Sequence, residues 1–325
     1  MNIAAPATDT RLCPCGSGLT RARCCGINLA SLGAREAGQQ LAPLEERAAE
    51  AQRTGATEEA ERLACDVLEL APGRTRALAI LYGARKAQGK AEAAAALIRR
   101  IVALEPNNFW ATNELTLLLL GRGNIAEASR HARNAVRIAP ENAQSHYLMG
   151  MVLTEGQRPA VAEYHYYRAL ELSDARDPVV LANVALCLKN QGKMGPARAL
   201  YEESLAAAPD SLHALLGLAR LEDADRNLPA AMALIERAEA LAADNPHAML
   251  LRAIVLGRMG EVDAALAVLD RMAASKAALG PAELLEKGRL LDRLGRFEEA
   301  FAAFDSGKQR LREITGQSYL QAHAQ

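Results

Sequence analysis

Apolar residues fall at helical spacing along most of this chain, as at Leu78, Leu81, Ile98 and Ile101 or at Leu181, Val184, Leu188 and Tyr201. An alanine marks each return of the pattern: Ala60, Ala94, Ala128, Ala162, Ala197, Ala231, Ala265 and Ala300 stand 34, 34, 34, 35, 34, 34 and 35 residues apart. Five positions before that alanine most units carry a glycine, at Gly55, Gly89, Gly123, Gly192, Gly260 and Gly295, and twelve positions after it several carry a proline, at Pro72, Pro106, Pro140 and Pro209. Each unit therefore reads as helix, turn, helix, with the glycine in the turn and the proline barring continuation of the second helix. Twelve positions before the alanine stand Ala48, Thr116, Gly150, Ala185, Ala219, Ala253 and Gly288, with Tyr82 the bulky exception. Small residues facing each other let two antiparallel helices approach closely.

This pattern resembles the tetratricopeptide repeat (TPR) family. The resemblance implies an all-α, right-handed superhelix of eight repeats over residues 41–314, divided as 41–74, 75–108, 109–142, 143–177, 178–211, 212–245, 246–280 and 281–314. Gln157 and Arg226 replace the turn glycine, and Asp174, Ala243, Ala277 and Arg312 stand where the loop proline is usual. A small segment over 1–28, a linker or helical lead-in over 29–40 and a tail over 315–325 complete the expected organisation.

Half of the residues are hydrophobic but only 4% are aromatic, which suits close-packed helices. With 38 basic against 39 acidic residues there is no basic field to hold phosphates, so nucleic acid is not an expected partner. No run of apolar residues is long enough to span a membrane, and Met1 to Leu12 lacks the pattern of a secretion signal, so a cytoplasmic location is expected.

Four of the six cysteines, Cys13, Cys15, Cys24 and Cys25, fall within thirteen residues. Zinc takes four tetrahedral ligands with soft donors, and a C-x-C pair followed by an adjacent Cys-Cys pair can close around one ion. A disulfide framework is the alternative, and it requires an oxidising compartment that nothing in the chain indicates; a redox pair is another. The run, with Pro14, Gly16, Ser17, Gly18 and Gly26, looks like the SEC-C zinc motif, which implies a structural Zn2+ on those four thiolates. Its Leu19-Thr20-Arg21-Ala22-Arg23 stretch departs from the lysines and aromatic usual there. Arg11, Arg21, Arg23 and Arg35 against Asp9 and Glu36 leave residues 1–36 at +2, which the −2 of a zinc tetrathiolate brings near zero. Packing on the first repeat, or contact with a partner, follows better than an anion clamp. Cys65 and Cys187 read as small hydrophobes inside helices.

In the TPR family the first helix of each repeat lines a concave face through its positions 2, 5, 9 and 12. The resemblance thereby assigns to a partner-binding groove Trp110, Asn113, Gln144, Tyr147, Met151, Lys189, Asn190, His213, Arg220, His247 and Arg289. Aromatics interleaved with amides suit an extended peptide or protein segment. Packing between successive first helices is the alternative for Trp110 and Tyr147, and solvation the alternative for Lys189, Arg220 and Arg289. The run Tyr164-His165-Tyr166-Tyr167 belongs to a second helix and reads as packing. No P-loop, dinucleotide-binding, metalloprotease or nucleophile-elbow motif occurs, so no enzyme activity is expected of these residues. Gly295 to Lys308, followed by Tyr319, looks like the last repeat of bacterial TPR-sulfotransferases, which implies, as a second possibility, the recruiting region of an enzyme using the sulfonate donor PAPS.

Overall fold

The computed structural model describes residues 11–27, 38–275 and 279–315; of the expected linker over 29–40 only 38–40 are described, as the start of a helix, while Ala277 and the tail after Thr315 with Tyr319 lie outside the described residues. Apart from one isolated antiparallel bridge between Leu12 and Thr20, every regular element among the described residues is helical. The chain divides into two compact units between Leu172 and Ser173. The first holds the hairpins α1 (Gly38–Arg53)/α2 (Thr57–Leu70), α3 (Thr75–Ala87)/α4 (Ala91–Leu104), α5 (Phe109–Gly121)/α6 (Ile125–Ile138) and α7 (Ala143–Glu155)/α8 (Pro159–Glu171). The second holds α9 (Pro178–Asn190)/α10 (Met194–Ala207), α11 (Leu212–Ala224)/α12 (Leu228–Leu241), α13 (Pro246–Met259)/α14 (Val262–Ser275) and α15 (Pro281–Arg293)/α16 (Phe297–Thr315).

Helix starts are set locally. Asn108, Asn124, Asn142, Asp177, Ser211 and Asn245 each accept a hydrogen bond from a backbone N–H of the first turn, and Pro159, Pro178, Pro246 and Pro281 occupy that turn, where a missing N–H costs nothing. Each side-chain cap stabilises its helix by about 1 kcal/mol.

Packing within each hairpin follows the small residues. All eight period-marking alanines are buried, none more than 3% exposed, and Ala48, Thr116, Ala185, Ala219 and Ala253 opposite them are fully covered. At Gly150 an added Cβ would lie 2.6 Å from the Tyr166 ring, and at Gly288 2.7 Å from Phe304, so the missing side chain makes room for an aromatic of the facing helix. Tyr82, in the corresponding place, turns towards the next hairpin: its hydroxyl donates to Glu114 Oε2 at 2.5 Å and its ring meets Trp110 edge-on at 5.8 Å. Larger side chains such as Leu63, Leu81, Ile98 and Leu115 in the first unit, and Leu215, Ile235, Leu269 and Met272 in the second, fill the space between helices.

The hairpin turns demand a left-handed residue, and glycine supplies it from Gly55 (φ +79°) through Gly295 (φ +73°). Gln157 (φ 57°) and Arg226 (φ 63°) adopt the same conformation with a side chain present, so the substitution leaves the turn geometry intact and stores strain there. Gln157→Gly and Arg226→Gly are each expected to raise stability by about 0.5–1 kcal/mol, read as a higher urea midpoint at constant slope.

Candidate metal centre and partner-binding faces

The cysteine segment folds around its own backbone. Cys13 N–H donates to Leu19 O at 2.8 Å and Arg21 N–H to Arg11 O at 2.9 Å, while Gly16 (φ +79°) and Gly18 (φ +86°) turn the chain between them. A single 3-10 turn, Arg21–Arg23, then presents Cys24 and Cys25 opposite the first pair. The four thiols are free, and their sulfurs all lie within 4.8 Å of one another, with Cys15 and Cys24 at 3.5 Å and Cys24 and Cys25 at 3.9 Å. Sulfurs around a tetrahedral zinc are separated by about 3.8 Å, so the set fits that ion without rearrangement of the backbone. Burial pushes the Cys24 thiol well above its ordinary value and Cys25 up to about 11, and the Ser17 hydroxyl, which donates to Cys24 Sγ at 3.0 Å, only partly offsets this at Cys24. Burial opposes ionisation of Cys13, but the backbone N–H groups of Cys15 and Cys25 outweigh it and bring that thiol down to about 7. Such a site with four protein ligands has no open position for a substrate, so the ion would supply structure.

The segment rests on α2, α3 and α4 rather than projecting from them. Leu19 is fully buried beneath it. Glu69 of α2 accepts from both the backbone N–H and the hydroxyl of Thr20, each at 3.1 Å. Arg85 of α3, only 2% exposed, donates to Ser17 O at 2.7 and 3.1 Å, to Gln88 at 2.9 Å, and pairs with Glu61 at 2.7 Å. Arg100 of α4, 6% exposed, donates to Arg23 O at 2.5 Å and to Pro72 O, and its Nε is buried with no hydrogen-bond partner. Burial depresses its pKa and the charges of Cys24 and Cys25 oppose that. Counting charge within residues 1–36 alone misses this arginine, because the helix that carries it lies 77 residues from the backbone it binds.

In the first unit the proposed groove residues lie on α5 and α7, which pack side by side. Trp110 is 43% exposed, Leu117 37% exposed and Gln144 open to solvent, while Tyr147 and Met151 are half-buried. Asn113 is only 9% exposed, and its Oδ1 lacks a partner, so it belongs to the floor of this face rather than its rim. Tyr147 packs towards Tyr166 with ring centroids 6.0 Å apart.

In the second unit, Asn190, His213 and His247 are exposed and Lys189 and Arg220 half-buried. Lys189 and Arg220 are both lowered in pKa, first by burial, and Lys189 further by repulsion from Arg220. Arg289 differs: it is exposed and paired with Glu286 at 3.1 Å, a partner one turn away on its own helix. His213 is lowered by the protein crowded around it and by Arg220.

One pair escaped the sequence reading. His146 and His165 meet Nδ1 to Nδ1 at 3.0 Å, and His146 Nε2 reaches Pro140 O at 3.0 Å. The signal was available: His146 lies four residues before Gly150 and His165 three after Ala162, mirror positions across one hairpin. Within the same run Tyr166 is buried, but Tyr164 and Tyr167 are 63% and 38% exposed, so only part of the run serves packing.

Tandem helical hairpins closed by paired small residues, with Trp110 exposed on a first helix, define a repeat scaffold. The chain belongs to the tetratricopeptide repeat family, whose pattern matches residues 113–178, 188–246 and 250–311, more than half of its length. It is 33% identical over 100 residues to the type IV pilus assembly protein PilF of Pseudomonas aeruginosa, a stretch that covers 31% of this chain and 38% of that protein. Among solved structures, a tetratricopeptide repeat protein from Parabacteroides merdae superposes with a TM-score of 0.63 at 18% identity, over 73% of this chain and 93% of that one. PilW, a type IV pilus biogenesis factor, superposes at 0.55 with 21% identity, over 62% of this chain and 92% of its own. At these identities the likeness concerns the fold. Among the described residues no helix is long and apolar enough to cross a membrane.

Proposed function

We propose that the chain is a protein-binding scaffold whose first-helix faces hold an extended segment of a partner, with a structural zinc ion on Cys13, Cys15, Cys24 and Cys25. The observation that carries the binding half is Trp110. Its indole is propped edge-on by Tyr82 with 43% of its surface open, beside Leu117 and Gln144, where burial in the hairpin core would have been cheaper. Taken by itself, the second unit offers Lys189 and Arg220 to an acidic residue of a partner, since among the described residues no carboxylate shifts either cation. Four unpaired cysteines suit a reducing compartment, the cytoplasm. The relative named for pilus assembly fits a protein that organises others.

Within Gly295–Lys308, the run that resembles a sulfotransferase's terminal repeat, Ala300, Ala303 and Phe304 pack α16 against its neighbours. That packing closes the hairpin itself, so the scaffold is the reading we keep.

Peptides selected from a random library on the immobilised chain provide the test. Replacing Trp110 and Gln144 together by alanine is expected to weaken the selected peptides by at least about 10-fold, with helical signal unchanged and the melting temperature lowered by about 2–4 °C through loss of the Trp110–Tyr82 edge contact. Undiminished binding would show that the partner lies elsewhere.

A further inference from the structure

The contacts between the cysteine segment and the first two hairpins go beyond what seating a small knuckle requires. Leu19 alone, fully buried, would anchor it through apolar contact. Instead, two arginines that could have reached solvent are turned inward and almost completely covered, Arg85 and Arg100. A buried guanidinium is costly unless its charge is met. Arg85 meets Glu61, and Glu69 is engaged by Thr20. Among the described residues Arg100 has two carbonyls as acceptors but no carboxylate within ion-pair distance, and its Nε is left without a partner. Its guanidinium sits on the carbonyl of Arg23, the residue immediately before Cys24, and the negative charge that acts on it is that of Cys24 and Cys25, which exists only when those sulfurs are thiolates. Four neutral thiols, or two disulfides, would leave Arg100 buried beside nothing that compensates it. A zinc tetrathiolate carries −2 and would compensate it.

We propose that Arg100 is the charge partner of the metal-loaded cysteine cluster, so that zinc binding and the docking of residues 11–27 on α2, α3 and α4 form one coupled equilibrium. This inference rests on the zinc reading above. Arg100 is a positioning residue: it touches the knuckle's backbone at Arg23 O and stabilises the loaded cluster through space, while the ligands remain the four sulfurs. The coupling runs both ways. Metal holds the knuckle on the hairpins, and the hairpins, through Arg100, raise the affinity for metal.

Cobalt(II) is the probe, because tetrahedral cobalt on four thiolates gives intense visible and sulfur-to-metal bands that report the ligand set directly. Arg100→Met keeps the length of the side chain and removes its charge. Relative to the intact chain, the variant is expected to bind cobalt and zinc at least about 10-fold more weakly in chelator competition, with an unchanged cobalt spectrum and unchanged helical signal. Arg99→Met on the adjacent, exposed position serves as control and should bind as the intact chain does. A second measurement covers the case in which Arg100→Met disturbs the fold: in the intact chain, metal addition should slow amide hydrogen exchange in α2, α3 and α4 while leaving α13 to α16 unaffected. Equal metal affinity of the Arg100 and Arg99 variants, or hairpin exchange indifferent to metal, overturns the coupling even if the cobalt spectrum is that of four thiolates. Absence of that spectrum in the intact chain overturns the zinc reading itself.

Discussion

Cys24→Ser is expected to strip the purified protein of its metal: elemental analysis should fall from about one zinc per chain to a small fraction of that. Cys24 is the natural target because its sulfur lies 3.5 Å from that of Cys15 and 3.9 Å from that of Cys25 and accepts the Ser17 hydroxyl, so a serine oxygen there loses both the soft donor and that contact. Structural zinc on four ligands contributes on the order of 10 kcal/mol to the fold of an isolated knuckle, far more than the few hydrogen bonds that otherwise order residues 11–27. The loss should therefore unfold the knuckle while the helices of both units persist. Amide exchange that stays slow at Leu19 and Cys24 in the zinc-free variant would show that the segment is held by packing alone.

Arg85→Leu is the second large effect. The substitution leaves the Ser17 carbonyl without its donor and the Glu61 carboxylate without its cation, both beneath the docked segment. The expected cost is about 3 kcal/mol, discounted from a fully buried pair because Glu61 is partly exposed. It carries a pH signature. Burial raises the Glu61 carboxyl, but the hydrogen bonds from Gln88 and Arg85 and the charges of Arg85 and Lys90 prevail and hold it below its ordinary value. A carboxyl lowered in the folded state contributes stability that is complete above about pH 4.3 and disappears as pH falls through the folded value. Urea midpoints of the intact chain and the variant should thus converge towards acid pH. A constant gap between pH 7 and pH 3 would show that the loss is one of packing.

The all-helical repeat fold was open to reading because its determinants are short-range: an alanine, a small residue twelve positions before it and a glycine between suffice to close a hairpin, and each returns with the period. The turns at Gln157 and Arg226 show the limit of residue identity as a signal. There the register of two packed helices imposes a left-handed backbone that neither residue would choose alone. The cysteine cluster was equally visible, since Cys13 to Cys25 are close in sequence. Its seat was not. Ser17 with Arg85, Thr20 with Glu69 and Arg23 with Arg100 are separated by 68, 49 and 77 residues, and an arginine in a helix looks solvated until something is laid over it. Asn113 and Arg289 illustrate the same limit on the binding faces: helix position gives direction, while depth and pairing depend on the neighbouring side chains.

The turn glycines have a further consequence for how the chain could change. A side chain added at Gly55, Gly89, Gly123, Gly192, Gly260 or Gly295 would meet nothing within 4 Å. The space beside each of these glycines is open, and the two helices it joins are already aligned by their facing small residues. Foreign sequence spliced in at such a tip, a tag or an entire guest domain whose ends lie close together, should therefore be accommodated without disturbing the host helices, making these six points the natural ports for building on this protein.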